Sequence, residues 1–309
     1  MSAVIESRNE AKPDLETLRA VLFGDMAIDG VVARTALYER VIAGLSGLIG
    51  RLRPVEAESF SFPPVMSRVH IQKAGYFKSF PQLLGCVCCL DGDETQIRQA
   101  AETIELQTGT SPQLSNTDLV LTPAACYPIY PIAAARGTVG SRGLCFDVSC
   151  DCFRREPSRD LDRLQSFRMR EFVRIGTERQ VTEFREIWIK KALEIADVLG
   201  LNAEIETAND PFFGRGGQLA AISQRMQSLK FELLVPIKSH RERTACMSFN
   251  YHRTHFGELW DLHDAKGASC HTGCVAFGVD RLAIALFAKH GVSLSAWPSE
   301  VAACLNLSV

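Results

Sequence analysis

The sequence predicts an α+β fold, an antiparallel β-sheet flanked by helices. Two neighbouring segments, Gly143–Phe153 and Phe167–Ile175, read as strands, and the first alternates in period two through Leu144, Phe146, Val148, Cys150 and Cys152. Val181–Leu199 and Val279–His290 show helical spacing instead. Strands and helices do not follow the regular βαβ rhythm of a parallel sheet.

Taken in order, residues 1–30 are weakly periodic and read as a partly ordered leader. From Ala33 to Leu52, Leu37, Val41, Ile42, Leu45, Leu48 and Ile49 recur at helical spacing. Phe62-Pro63-Pro64-Val65 reads as extended chain, because proline pushes its predecessor out of the α region. Leu83–Leu90 is an apolar run suited to a buried strand, and Asp93–Gln107 returns to helical spacing. Pro123 and Pro128 interrupt strand-like pieces between Asp118 and Ile129. Leu229–Ile237 and Thr244–Asn250 are further strand candidates. No internal repeat or long linker appears, so residues 31–309 read as a single domain.

Composition excludes several classes. The 309 residues are 46% hydrophobic and 23% charged, enough apolar material for a substantial core. The formal net charge is −2, and no basic stripe of the kind that grips nucleic acid is visible. Met1–Leu15 has no apolar core of a secretory signal, and no apolar run reaches the roughly 18 residues of a membrane span. Eleven cysteines without a secretory signal read as reduced thiols in a cytoplasmic protein.

Chemistry concentrates in two segments. Cys152-Phe153-Arg154-Arg155-Glu156, a charged loop, and Arg163-Leu164-Gln165-Ser166-Phe167-Arg168-Met169-Arg170-Glu171-Phe172 form a strand–loop–strand unit. Arginine forks match phosphate oxygens, and an aromatic face can stack on a base, so a nucleotide suits this unit. A solvated hairpin with surface arginines would read the same way. Gly273-Cys274-Val275-Ala276-Phe277-Gly278-Val279-Asp280-Arg281 then leads into a helix whose first turn favours anions.

In this order, the two segments resemble motifs 2 and 3 of class II aminoacyl-tRNA synthetases. Phe62-Pro63-Pro64-Val65-Met66, Gly75-Tyr76-Phe77 and Phe80-Pro81 resemble motif 1, which implies a homodimer. Leu121-Thr122-Pro123-Ala124-Ala125-Cys126 and Glu242-Arg243-Thr244-Ala245-Cys246-Met247-Ser248 resemble seryl-tRNA synthetase segments. The likeness implies a class II catalytic domain over residues 31–309, with a helical insertion at about 181–215. It implies that Arg154 grips the α-phosphate and Arg281 the γ-phosphate of ATP. Phe167 would stack on adenine, with Glu156 near its amino group and Glu242 sharing Mg2+ with the phosphates. Arg163, Leu164, Lys230, Ala245, Cys246, Met247 and Ser248 complete the implied ATP contacts, and Glu171 and Ser248 the amino-acid contacts.

Two departures refine the resemblance. Cys126 and Cys274 replace the glutamate and glycine of common bacterial seryl enzymes, as in the atypical archaeal kind. That likeness implies one Zn2+ per chain on Cys126, Glu171 and Cys274, with an open position for the substrate amine. The rival sets Cys150/Cys152 and Cys86/Cys88/Cys89 have no partner pair at zinc-ribbon spacing. Only about 30 residues precede the core, where those synthetases carry a tRNA-binding arm. The combination is similar to the bacterial amino acid:[carrier protein] ligases. It implies AMP-forming activation of glycine or alanine and transfer to the phosphopantetheine thiol of an acyl carrier protein, with no tRNA and no membrane involved. Lys190 and Lys191 are candidates for carrier docking. A minimal aminoacyl-tRNA synthetase with its arm in trans, or a non-catalytic paralogue, are the alternatives.

Overall fold

The computed structural model describes residues 14–107, 113–239 and 241–307. Residues 1–13, which hold the first part of the expected leader, lie outside the described residues. Helix α1 (Leu15–Leu22) opens on Asp14, whose carboxylate accepts from the Thr17 N–H. Strands β1 (Phe23–Ile28) and β2 (Val31–Arg34) form a hairpin that turns at Gly30, with φ at 78°. This stretch looks weakly periodic because little of it faces inward: Leu18, Leu22 and Phe23 are buried, while most of β1 is exposed. Helix α2 (Ala36–Leu52) is capped by Thr35 and buries Tyr38, Val41, Ile42, Leu45, Leu48 and Ile49.

Pro63-Pro64 separates β3 (Glu58–Phe62) from β4 (Val65–Ser67). Short helices α3 (Arg68–Lys73) and α4 (Tyr76–Ser79) lead to β5 (Cys86–Leu90), α5 (Glu94–Gln107), β6 (Leu114–Leu121) and α6 (Ile129–Ala134). The long hairpin β7 (Leu144–Phe153) and β8 (Ser166–Gly176) follows, then α7 (Glu178–Val198), β9 (Glu204–Thr207) and α8 (Gly214–Met226). Strands β10 (Lys230–Val235) and β11 (Thr244–Arg253), helix α9 (His255–Leu259), β12 (His271–Gly278), α10 (Val279–His290) and α11 (Ser299–Cys304) complete the fold.

Seven strands form the main sheet in the order β3-β7-β8-β12-β11-β10-β9, antiparallel except for the β3–β7 pair. A smaller sheet has the order β4-β6-β5. The run Leu83–Leu90, expected as a buried strand, is corrected here. Its strand β5 is an edge, paired on one side only, and Cys86, Cys88 and Cys89 are exposed. Apolar composition does not by itself reveal whether a second layer covers a strand.

Alternation gives the main sheet two chemically different faces. On β12, Val275 and Phe277 pack into the core that also holds α2, α7 and α10. Trp188 of α7 lies 4.8 Å from the Phe172 ring and 5.9 Å from Phe277. The stretch anticipated as an insertion thus supplies a sheet-packing helix and the edge strand β9. Cys274 and Ala276 point to the other face, and a cavity opens there.

Candidate active site

The cavity measures about 450 Å3, within the range of roughly 300–1,000 Å3 usual for small-molecule sites. Its axis follows β11. At one end Phe167, near the start of β8, lies across the hairpin from Cys152. The Arg154 guanidinium stands 5.4 Å above the Phe167 ring. The Arg154 side chain donates from Nε to Pro123 O at 3.0 Å, and its backbone N–H donates to Gln165 O at 2.9 Å. Arg281 sits in the first turn of α10 and is anchored by Asp162 O at 2.9 Å and Ala245 O at 3.0 Å. Beneath it Asp280 is buried, accepts from Tyr38 Oη at 2.8 Å and pairs with Arg168 at 3.1 Å. These contacts fix both arginines before any ligand arrives. Two forked cations and an aromatic face are suited to a nucleoside triphosphate.

Glu156, Leu164, Ala245, Cys246, Met247 and Ser248 also line the cavity, as the sequence led us to expect. Arg163 does not, and its side chain is exposed. Glu242 also lies away from the lining, 70% exposed, with its carboxylate 3.5 Å from Lys238 Nζ. Lys230 lines the cavity, but away from Phe167. It pairs across β10–β11 with Asn250, which itself lies opposite Cys274. Its ammonium is held by Asp210 at 2.6 Å and Glu232 at 3.0 Å. Burial works against the Lys230 charge, yet the two carboxylates outweigh it and raise its pKa.

The other end holds the three residues expected to bind metal. Cys126, Glu171 and Cys274 are all buried, and their ligand atoms lie within 4.8 Å of one another. Three chain segments meet here: the turn after β6, the middle of β8, and β12. The Cys126 N–H donates to Glu171 Oε1 at 3.0 Å, and Asn250 Nδ2 donates to Cys274 Sγ at 3.3 Å. The thiol–thiol contact with Cys274 and burial push the Cys126 pKa well up, and burial raises that of Glu171. At Cys274 the Cys126 contact pulls the other way, but burial and the Glu171 carboxylate leave the pKa raised. Two thiolates and a carboxylate crowded in a dry site repel one another, and a divalent cation relieves that repulsion. Two sulfurs, one oxygen and room in the cavity fit a zinc ion with an open position. The hydroxyl of Tyr130, fully buried nearby, has no hydrogen-bond partner among the described residues.

Sequence reasoning did not reach Asp210, Gln224, Glu232, Asn250 and His252, which also line the cavity. A signal for three of them, Glu232, Asn250 and His252, exists. Lys230 and Glu232 on β10, and Ser248, Asn250 and His252 on β11, place polar groups at every second strand position. On a sheet that is otherwise apolar, such a stripe marks a wetted face. Burial lowers the His252 pKa to about 4, helped by neighbouring His255, so the ring is neutral at pH 7.

No family model matches the chain. Curated relatives do. Amino acid–[acyl-carrier-protein] ligase 1 of Bradyrhizobium diazoefficiens is 56% identical over 293 residues, covering 95% of this chain and 90% of that one. Ligase 2 of the same organism is 53% identical, covering 99% and 93%. The type-2 serine–tRNA ligase of Methanocaldococcus jannaschii is 32% identical over 60% of this chain and 37% of its own length. Among solved structures, the Methanopyrus kandleri seryl-tRNA synthetase superposes with a TM-score of 0.81 at 20% identity, covering 98% of this chain and 62% of that one. The Pyrococcus horikoshii seryl-tRNA synthetase complexed with ATP gives 0.66 at 15% identity, over 91% of this chain and 60% of its own. The fold is therefore that of the class II seryl-tRNA synthetases, and the chain belongs to the amino acid–[acyl-carrier-protein] ligases, a family of enzymes.

Proposed function

We propose that the protein activates a small amino acid, glycine or alanine, with ATP and Mg2+, and passes it to the phosphopantetheine thiol of an acyl carrier protein. The observation that supports this best is the single cavity joining a triphosphate-suited end at Arg154, Phe167 and Arg281 to an amine-suited end at Cys126, Glu171 and Cys274. Zinc held by that set would supply a Lewis-acidic position for the unprotonated α-amine. Arg154 would hold the α-phosphate and Arg281 the γ-phosphate, countering charge that builds as the carboxylate attacks and pyrophosphate leaves. Alignment of the two reactants in one cavity is worth up to about 7–11 kcal/mol of barrier in ideal cases. In the second step the thiol attacks the aminoacyl-adenylate and AMP leaves. A thiol is already a few per cent ionised near neutrality, so a dedicated base is unnecessary.

The carrier would dock on α8. No residue of that helix is buried, and Leu219, Ile222 and Met226 form an apolar stripe exposed at 72%, 56% and 81%. The opposite side of α8 reaches the cavity, where Gln224 Nε2 donates to Asp210 Oδ2 at 2.8 Å. Lys190 and Lys191 are less suited, because α7 packs on the sheet face away from the cavity.

The test is to incubate enzyme, ATP, glycine or alanine and phosphopantetheinylated carrier, and to weigh the carrier. One aminoacyl mass, released by hydroxylamine as a thioester is, is expected. Equal labelling of carrier lacking the prosthetic arm would defeat the thiol mechanism, and label on bulk tRNA would replace the acceptor.

A further inference from the structure

Alternate residues of β11, Cys246, Ser248, Asn250 and His252, line the cavity. Arg281 bonds the backbone at Ala245, so the first stands at the nucleotide end. Asn250 touches Cys274, so the third stands at the amine end. His252 follows two residues on, where the β11–β12 register shifts between Tyr251 and Arg253. At about 3.3 Å per residue it stands roughly 6–7 Å further along, away from Arg154 and Phe167. A substrate with its amine at the Cys126–Glu171–Cys274 set and its carboxylate toward Arg154 must send its side chain in a third direction. The Ser248 hydroxyl already accepts from Asn250 Nδ2 at 3.1 Å, and Lys230 is locked between two carboxylates. The way that remains runs on along the strand, to His252.

His252 is built as a wall. Its Nδ1 lies 3.2 Å from the hydroxyl of Thr272, which is fully buried. Its ring meets Phe256 edge-on at 5.0 Å and 85°. Phe256 is itself stacked on Tyr130 at 4.3 Å and flanked by His255 at 4.8 Å and Tyr127 at 6.1 Å. A ring held on two sides within a close-packed cluster cannot swing aside for a larger ligand. Being uncharged at neutral pH, it does not repel a cation in the adjoining set.

We infer that His252 is a specificity-determining residue: its imidazole caps the side-chain subsite and sets the largest amino acid that the enzyme activates. The inference rests on the amino-acid-activating reading above. Amino-acid-dependent pyrophosphate exchange with glycine, alanine, 2-aminobutyrate and valine tests it. In His252→Ala, kcat/KM for 2-aminobutyrate relative to glycine should rise by about 10–200-fold, the range that one methylene is worth in a pocket. Circular dichroism matching the wild type reports that the variant is folded, and the ratio between substrates is the readout. His252→Phe should move the preference the other way, toward glycine. If His252→Ala fails to fold, His252→Asn also shortens the wall and keeps a polar group for Thr272. An unchanged substrate ratio in variants that still activate glycine overturns the inference while leaving the activation reading intact. Wild-type enzyme that exchanges pyrophosphate with no amino acid overturns both.

Discussion

At the scale of single residues, the buried cluster of Cys126, Glu171 and Cys274 was legible because each stands at a motif position. Asn250, which touches Cys274, was not, since a lone asparagine on a strand carries no motif of its own. The proposed metal predicts about one zinc per purified chain, with loss of both metal and pyrophosphate exchange in Cys126→Ser or Cys274→Ser. Zinc retained at full stoichiometry in the double variant would move the site elsewhere. A second prediction concerns stability rather than chemistry. Asp147 is buried and takes a bidentate grip from Arg170 at 2.7 and 2.6 Å. Removing one partner of a buried pair strands the other charge, at a cost of about 3–5 kcal/mol. Asp147→Ala should lose stability on that scale in urea titration, and a loss below about 1 kcal/mol, as for an exposed pair, would contradict the burial argument.

At the scale of elements, α2 and α7 were readable because each buries an apolar stripe against the sheet, and β7, β12 and α10 because their nearly continuous apolar runs are buried on more than one side. The β1–β2 hairpin was not readable, because what holds it is mostly backbone. Gly30 O accepts from Gln165 N at 2.7 Å, and Gln165 Nε2 donates to Asp29 O at 2.7 Å. Arg34 Nη2 adds a bond to Ser166 O at 3.2 Å. The hairpin therefore straps the loop that delivers Leu164 and Phe167 to the end of the cavity at Arg154, proposed above to take the nucleotide. Gly30 is the tight point. Its φ is +78°, and a Cβ there would meet Gln165 Cγ at 3.0 Å and Gln165 N at 3.1 Å. Gly30→Ala should raise KM for ATP on the order of tenfold, equivalent to ~1.4 kcal/mol, with KM for the amino acid unchanged. Equal changes in both constants would mean that the hairpin supports the fold as a whole and not the loop.

At the scale of the whole molecule, the class II likeness was readable from motifs, but a surface's partner is written only in what it leaves uncovered. The segment resembling motif 1 runs from Phe62 through β4 and α3 to Pro81, beside the small sheet. Val69 on α3 is 65% exposed, and Leu119 and Leu114 on β6 are 42% and 40% exposed. Apolar side chains left open along one sheet and its adjoining helix need a cover, and a two-fold axis lets the same patch cover itself. We therefore expect a homodimer, with light scattering giving about twice the 34.1 kDa chain mass. Because Val69 and Leu119 are open in the single chain, Val69→Asp with Leu119→Asp should spare the fold of each chain and weaken its pairing. The variant's mass should fall toward that of one chain upon dilution, with circular dichroism unaltered. A wild-type protein that is monomeric and fully active at micromolar concentration would leave this surface without the partner assigned to it.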